Sequence, residues 1–222
     1  MTSRERVRAA AVKLFATKGF HGTGIRDLAL EAELSSASLY HYMGTKEDLL
    51  AEIMHTALNR LLDAAREATA GSADPVHRLR TLVALHVLAH AVGPAETRVV
   101  DNEVDVLSPA AREPVVALRD AYENLWAAAI EEGVAAGAFR VDHPAVTRLA
   151  LLEMCSGVAR WYSPRGPLAL DELAEHYAEL ASRALGCTSP PGVADLRRCR
   201  EIVAKEWGVP VQPAKSAAAD PS

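Results

Sequence analysis

The sequence predicts an all-α protein, a short N-terminal helical head followed by a longer helical body. Three observations carry that prediction. Apolar residues recur at helical spacing almost from end to end. Alanine is abundant while aromatics make up only 5% of the chain, and no run of alternating β-branched residues stands out. Gly and Pro cluster between the periodic segments, where helices stop. Half of the 222 residues are apolar, enough for a substantial core in one large domain or two unequal ones.

The first helix spans Ser3 to Lys18, with Val7, Ala10, Ala11, Leu14 and Phe15 on one buried stripe and Gly19 as its stop. Thr23 is a candidate cap for a second short helix that buries Ile25, Leu28, Ala29 and Ala32. A tight break at Glu33-Leu34 leads to Ser35, the cap of a third helix running to Met43, which Gly44 ends. Thr45 caps a fourth helix, with Glu47 and Asp48 in its acidic first turn. Longer segments follow at 46–70, 75–92, 109–136, 143–162 and 170–185, with a short one near 96–106. Ser189-Pro190-Pro191-Gly192 reads as a linker and Val193 to Trp207 as one amphipathic helix; the Pro/Ala/Ser-rich end from Pro210 reads as disordered.

Composition excludes several classes. No uncharged apolar stretch of about 18 residues predicts a membrane span. Basic residues interrupt the N-terminus, so it lacks the apolar segment of a secretory signal, and a cytoplasmic protein is expected. Cys155, Cys187 and Cys199 are odd in number and far apart, which predicts reduced thiols with no metal site and no cofactor. The net charge of −5 hides an asymmetry: residues 1–46 hold seven basic residues against four acidic ones, so the head is positive and the body negative. Charge attraction is screened beyond roughly 8–10 Å at physiological salt, so the head's own balance decides whether it can meet phosphate.

A short helix, a tight turn and a second short helix are the minimum needed to seat a recognition helix in a major groove. In the third helix Leu39 and Met43 face the core, while Ala37, Tyr40 and His41 project from a neighbouring arc. Ser36 and Ser38 lie near its N-terminus, where small residues permit close approach. In an ordinary helical protein the same Leu-Tyr-His-Tyr run would be packing beside a solvated edge.

Phe20-His21-Gly22-Thr23, Ile25-Arg26-Asp27-Leu28-Ala29, Ser38-Leu39-Tyr40-His41-Tyr42-Met43 and Thr45-Lys46-Glu47-Asp48-Leu49 together resemble the signature of the TetR family, with spacing intact. The resemblance implies an N-terminal three-helix helix-turn-helix DNA-binding domain over 1–47 and a helical ligand-binding and dimerisation domain over 48–186. A partly disordered extension over 187–222 would follow. It implies a homodimeric repressor of a palindromic double-stranded DNA operator, controlled by a small-molecule effector. Thr23, Tyr40 and Lys46 would contact phosphates; Arg26, Ser36, Ala37, Ser38 and His41 would lie at or near base edges. Two positions depart from the pattern. Glu33 stands where the turn usually has glycine, which predicts strained or reshaped backbone. Ser36 stands where relatives often have lysine.

In the body, Pro144 to Tyr162 is apolar on more than one face and must bury two sides. Leu173, Tyr177, Leu180 and Ala184 form a second stripe, and two such helices from each of two subunits would make a four-helix seam. Arg160-Trp161-Tyr162 with Pro164, Gly166, Pro167 and Leu168 resembles the branch of the family that answers acyl-CoA thioesters and controls lipid, sterol or aromatic-acid catabolism. Arg160 or Arg165 would pair with phosphate, and Trp126, Leu152, Met154 and Trp161 would line the effector cavity. The plainer account of Trp161 is that it anchors a helix end. His86 and His90 lie one turn apart, but with no third ligand they read as a satisfied core or pocket pair. The competing function is a helical acyl-CoA-binding enzyme or carrier without a DNA role. It would need a nucleophile with an adjacent base or paired carboxylates, and no such signature is present.

Overall fold

A computed structural model describes residues 1–187 and 194–209, and among these residues every regular element is helical. The expected linker at Ser189–Gly192 and the end from Pro210 lie outside the described residues. The helices are α1 (Ser3–Lys18), α2 (Ile25–Glu31), α3 (Ser36–Met43), α4 (Lys46–Thr69), α5 (Pro75–Val92) and α6 (Pro94–Asn102). After a 3-10 turn at Val104–Val106 come α7 (Pro109–Ala135), α8 (Pro144–Ser156), α9 (Val158–Trp161), α10 (Leu170–Ala184) and α11 (Leu196–Trp207). The chain divides into two compact units. One takes Met1–Arg60 and Pro94–Ala121; the other takes Leu61–Gly93 and the described residues from Tyr122 onward.

In the first unit the core is built from Val7, Ala11, Leu14 and Phe15 of α1, Leu28 of α2, Leu39 and Met43 of α3, and Leu50, Ile53 and Met54 of α4. Val99 and Val100 of α6 join them. Local chemistry sets each boundary. The Thr2 hydroxyl accepts from the Glu5 N–H while the Glu5 carboxylate accepts from the Thr2 N–H, a reciprocal cap on α1. Ser35 Oγ accepts from the Ser38 N–H at 3.1 Å and starts α3, and Thr45 and Asp48 cap α4 reciprocally.

The α2 cap differs from expectation. Gly24, not Thr23, is the N-cap, and the Asp27 carboxylate accepts its N–H at 3.1 Å. Thr23 is unavailable because its hydroxyl already donates to the Gly19 carbonyl at 2.8 Å. After α2, Glu33 has φ 55°, the left-handed region, as its place in the turn predicts. The Leu34 N–H donates to the Ala29 carbonyl and the Glu33 N–H to the Leu30 carbonyl, a Schellman close that needs this residue left-handed.

In the second unit α5 is buried on every side and serves as the axis, with α8, α9, α10 and α11 packed against it. Arg80 of α5 is 1% exposed and donates to Ser182 Oγ at 3.1 Å, to Glu179 at 3.3 Å and to Glu175 on α10. The single helix expected over 143–162 is two, α8 and α9, separated at Gly157. The α10 face turned to the core is Leu173, Ala174, Ala178, Ala181 and Ser182, while Leu180 and Ala184 of the stripe expected at a dimer seam are exposed on the protomer. Leu180 stays 48% exposed, as do Val146 (65%) and Leu149 (48%) of α8, whose buried residues are Leu151 and Cys155.

Candidate nucleic-acid interface and effector site

The outward face of α3 is continuous and polar. Ser36, Ala37, Ser38, Tyr40 and His41 are exposed, whereas Leu39 and Met43 are buried and hold the helix down. Tyr40 is 52% exposed, so its ring and hydroxyl are free to meet a backbone. The His41 ring meets Tyr42 edge-on at 5.1 Å, which restricts its rotation. Tyr42 is itself partly exposed. Ser38 Oγ lies 2.9 Å from Ser35 Oγ and is thereby tied into the cap.

Charge sharpens this surface. Of the seven basic residues in 1–46, five pair with carboxylates: Arg4 with Glu52, Arg6 with Glu33, Arg8 with Glu96, Lys13 with Glu31 and Lys18 with Asp27. The two without a carboxylate partner among the described residues are Arg26, exposed on α2, and Lys46 at the start of α4. These two flank α3 in sequence. Lys46 Nζ donates to the Phe20 carbonyl at 2.8 Å and the Thr23 carbonyl at 2.9 Å, which leaves one N–H and a whole positive charge. Thr23 is only 1% exposed and its hydroxyl donates to the Gly19 carbonyl, so in this conformation it supports the turn ahead of α2.

A small-residue face on a short helix, braced from behind and flanked by two unpaired cations, is what major-groove docking demands. Residues 7–53 match the family described as bacterial regulatory proteins, tetR family, and residues 72–185 match the tetracyclin repressor-like C-terminal domain. The protein belongs to the TetR family. The HTH-type transcriptional repressor KstR2 of Rhodococcus jostii (strain RHA1) is 31% identical over 172 residues, covering 77% of this chain and 84% of that one. The crystal structure of a tetR-family regulatory protein from Rhodococcus RHA1 superposes with TM-score 0.78 at 30% identity, covering 85% of this chain and all of that one. AibR, solved in complex with isovaleryl coenzyme A and operator DNA, shares the fold with TM-score 0.74 at 23% identity, over 81% of this chain and 97% of its own.

The effector residues expected for this TetR-family chain are spread across depths. Trp126 on α7 is wholly buried, Leu152 and Met154 on α8 are half-buried, and Arg160 and Trp161 on α9 are exposed. Trp161 stands edge-on to Tyr162 at 6.3 Å. An open groove of about 560 Å³ beside α7, lined by Leu107, Arg112, Val116 and Asp120, includes none of them.

Beneath α9 the second unit holds a polar cluster. His86 Nδ1 lies 2.9 Å from the Tyr122 hydroxyl and His86 Nε2 lies 3.1 Å from Ser156 Oγ. His90 stacks on His86 at 3.7 Å and donates from Nδ1 to the His86 carbonyl at 2.9 Å. Burial holds both imidazoles neutral, His86 well below the usual histidine range and His90 down to about 4. Tyr122 and Ser156 lie 36 and 70 residues from His86, so no local pattern announces them. Among the described residues no three metal-ligating side chains come together, and no helix is long and apolar enough to cross a membrane.

Proposed function

We propose that this TetR-family chain is a cytoplasmic, ligand-responsive repressor that seats α3 of each of two protomers in successive major grooves of a palindromic operator. An acyl-CoA thioester would release it. The observation that carries the reading is the coincidence of the exposed small-residue face of α3 with the head's two unpaired cations. Tyr40 and Lys46 meet phosphates; Arg26, Ser36, Ala37, Ser38 and His41 lie at base edges; Thr23 braces the turn. Residues 1–47 act as the DNA-binding part and 48–186 as the effector-binding and dimerisation part.

Self-association is supported by apolar side chains that the protomer leaves uncovered, Val146 and Leu149 on α8 and Leu180 on α10. Pairing fixes the two α3 helices about 34–36 Å apart, the repeat of the groove. A ligand that favours a wider spacing shifts the population away from DNA. The acyl-CoA assignment draws on the Arg160-Trp161 segment, on the relationship to KstR2 repressors, and on AibR, where one fold holds a CoA ester and operator DNA.

Fluorescence anisotropy with a palindromic operator tests the proposal. Tyr40→Ala lowers affinity at least tenfold on every sequence, whereas His41→Ala changes which sequence is preferred. Full affinity and unchanged preference in both variants would remove the assignment of α3. CoA esters titrated into the complex release the DNA; release by free acids alone would remove the acyl-CoA assignment and leave the repressor standing.

A further inference from the structure

The second unit contains a helix that the matched C-terminal domain does not include: that domain stops at residue 185, and α11 begins at Leu196. Cys199, Ile202 and Val203 are the buried side of α11, which packs on α5, and the Cys199 Sγ–H donates to the Thr81 carbonyl at 3.7 Å. Arg200 donates to Asp171 of α10 at 2.5 Å, a pair with both side chains largely covered. From that seat three side chains reach further. Arg198 donates to the Glu67 carbonyl in the last turn of α4, and Lys205 Nζ lies 3.3 Å from the Glu67 carboxylate. Carbonyls in a helix's last turn lack intrahelical donors and carry the negative end of its dipole, so two cations suit that place. Trp207 sits against Gly93, where an added Cβ would lie 3.1 Å from its Nε1. Gly93 has φ −117°, which any residue adopts, so its missing side chain makes room for the indole.

The chain passes between its two compact units at three places: inside α4 after Arg60, at Gly93-Pro94, and inside α7 after Ala121. Glu67 lies about two helical turns past the first crossing, and Gly93 is the last residue before the second. We infer that α11 is a strap that fastens both of these crossings and thereby sets how much effector is needed to release the operator. This rests on the ligand-responsive repressor reading above and adds its regulation. An effector that releases DNA by moving either crossing must break the contacts to Glu67 or Gly93. Each contact therefore adds to the differential affinity the effector has to supply. The reaching contacts are few and partly exposed: the Lys205 side chain is 64% exposed and that of Glu67 48%. Such pairs are individually weak, which raises a threshold without locking the protein.

Operator release from the full-length protein, followed by fluorescence anisotropy during titration with octanoyl-, benzoyl- and cholyl-CoA, tests this. Two variants cut the strap at different crossings: Arg198→Ala with Lys205→Ala at α4, and Trp207→Ala at Gly93. In each, the ester that releases the parent does so at a concentration at least about threefold lower, while operator affinity without ester stays within about twofold. Arg198→Lys with Lys205→Arg, which keeps both cations, keeps the parent's midpoint. An unchanged midpoint in both disruptive variants overturns the strap and leaves CoA-triggered release intact. So does a lower Tm with affinity and midpoint unmoved, the mark of a merely structural helix. If no ester releases the parent, the acyl-CoA reading falls and amide hydrogen exchange decides the strap by itself. Exchange of residues 54–60 and 94–102, on the far side of both crossings, then quickens at least about threefold in the two variants, and equal rates overturn it.

Discussion

The Lys46 ammonium lies 4.2 Å above the Phe20 ring and donates to the Phe20 carbonyl, joining the start of α4 to the turn that precedes α2. One side chain thus braces the head and supplies one of its two unpaired charges. Lys46→Met removes both. Unfolding by urea should show a loss of about 1–3 kcal/mol, the range for a hydrogen bond from a charged donor. Operator affinity should fall as well, and the slope of log K against log salt should become shallower by about 2 per dimer. An unchanged slope would mean that Lys46 is a brace and nothing more.

Glu33 holds a left-handed conformation that glycine adopts without strain. Its contact with Arg6 at 3.6 Å is made by a carboxylate 82% exposed, and such pairs contribute little. Glu33→Gly is expected to stabilise by about 1 kcal/mol, a rise of roughly 2–4 °C in Tm for a chain of this size. Glu33→Ala, which deletes the charge but keeps the strain, should give no such gain in the same thermal scan.

His90 titrates near 6.5 when unfolded and at about 4 when folded, so below pH 6.5 the unfolded chain binds more protons. Its contribution to stability is complete above pH 6.5, declines as pH falls, and is gone once pH passes about 4. The loss is on the order of 3 kcal/mol, and His86 acts in the same direction. Urea unfolding between pH 7 and 4 should show a shallower pH dependence in His90→Gln than in the parent. Parallel curves would contradict the buried, neutral stack.

Gly133 closes the end of α7 against Phe139. An added Cβ would sit 2.1 Å from the Phe139 Cδ2, a ring that is itself 2% exposed and cannot retreat. Gly133→Ala should destabilise by about 2–3 kcal/mol through overpacking. Combining it with Phe139→Leu should cost less than the two single changes added together, the signature of a direct clash.

The parts of the fold that were legible in sequence are those set by neighbours along the chain. Ser35, Thr45, Gly19 and Gly44 mark helix ends because their caps and turns close within a few residues. The strain at Glu33 was legible for the same reason. Thr23 misled because its hydroxyl has two possible uses, a cap ahead or the Gly19 carbonyl behind, and sequence does not rank them. On α10 the conspicuous stripe of Tyr177 and Leu180 says nothing of the face packed within the protomer, where Ala174, Ala178 and Ala181 are buried and the helix meets α5. Small residues let the helices approach closely, so the packed face is the less conspicuous one. In the candidate site, the exposed residues of α3 followed from its core positions. The pairing of Arg8 with Glu96, 88 residues away, and the His86 chain depend on tertiary proximity and left no mark.

Five of the head's seven cations face a carboxylate, three within the head and two on α4 and α6, and several of these pairs are solvent-exposed. Sliding and hopping along random DNA run on a weak, sequence-blind grip. Exposed pairs of this kind can exchange a carboxylate for a phosphate at small cost, so the head's hold on random DNA would rest on that exchange as well as on Arg26 and Lys46.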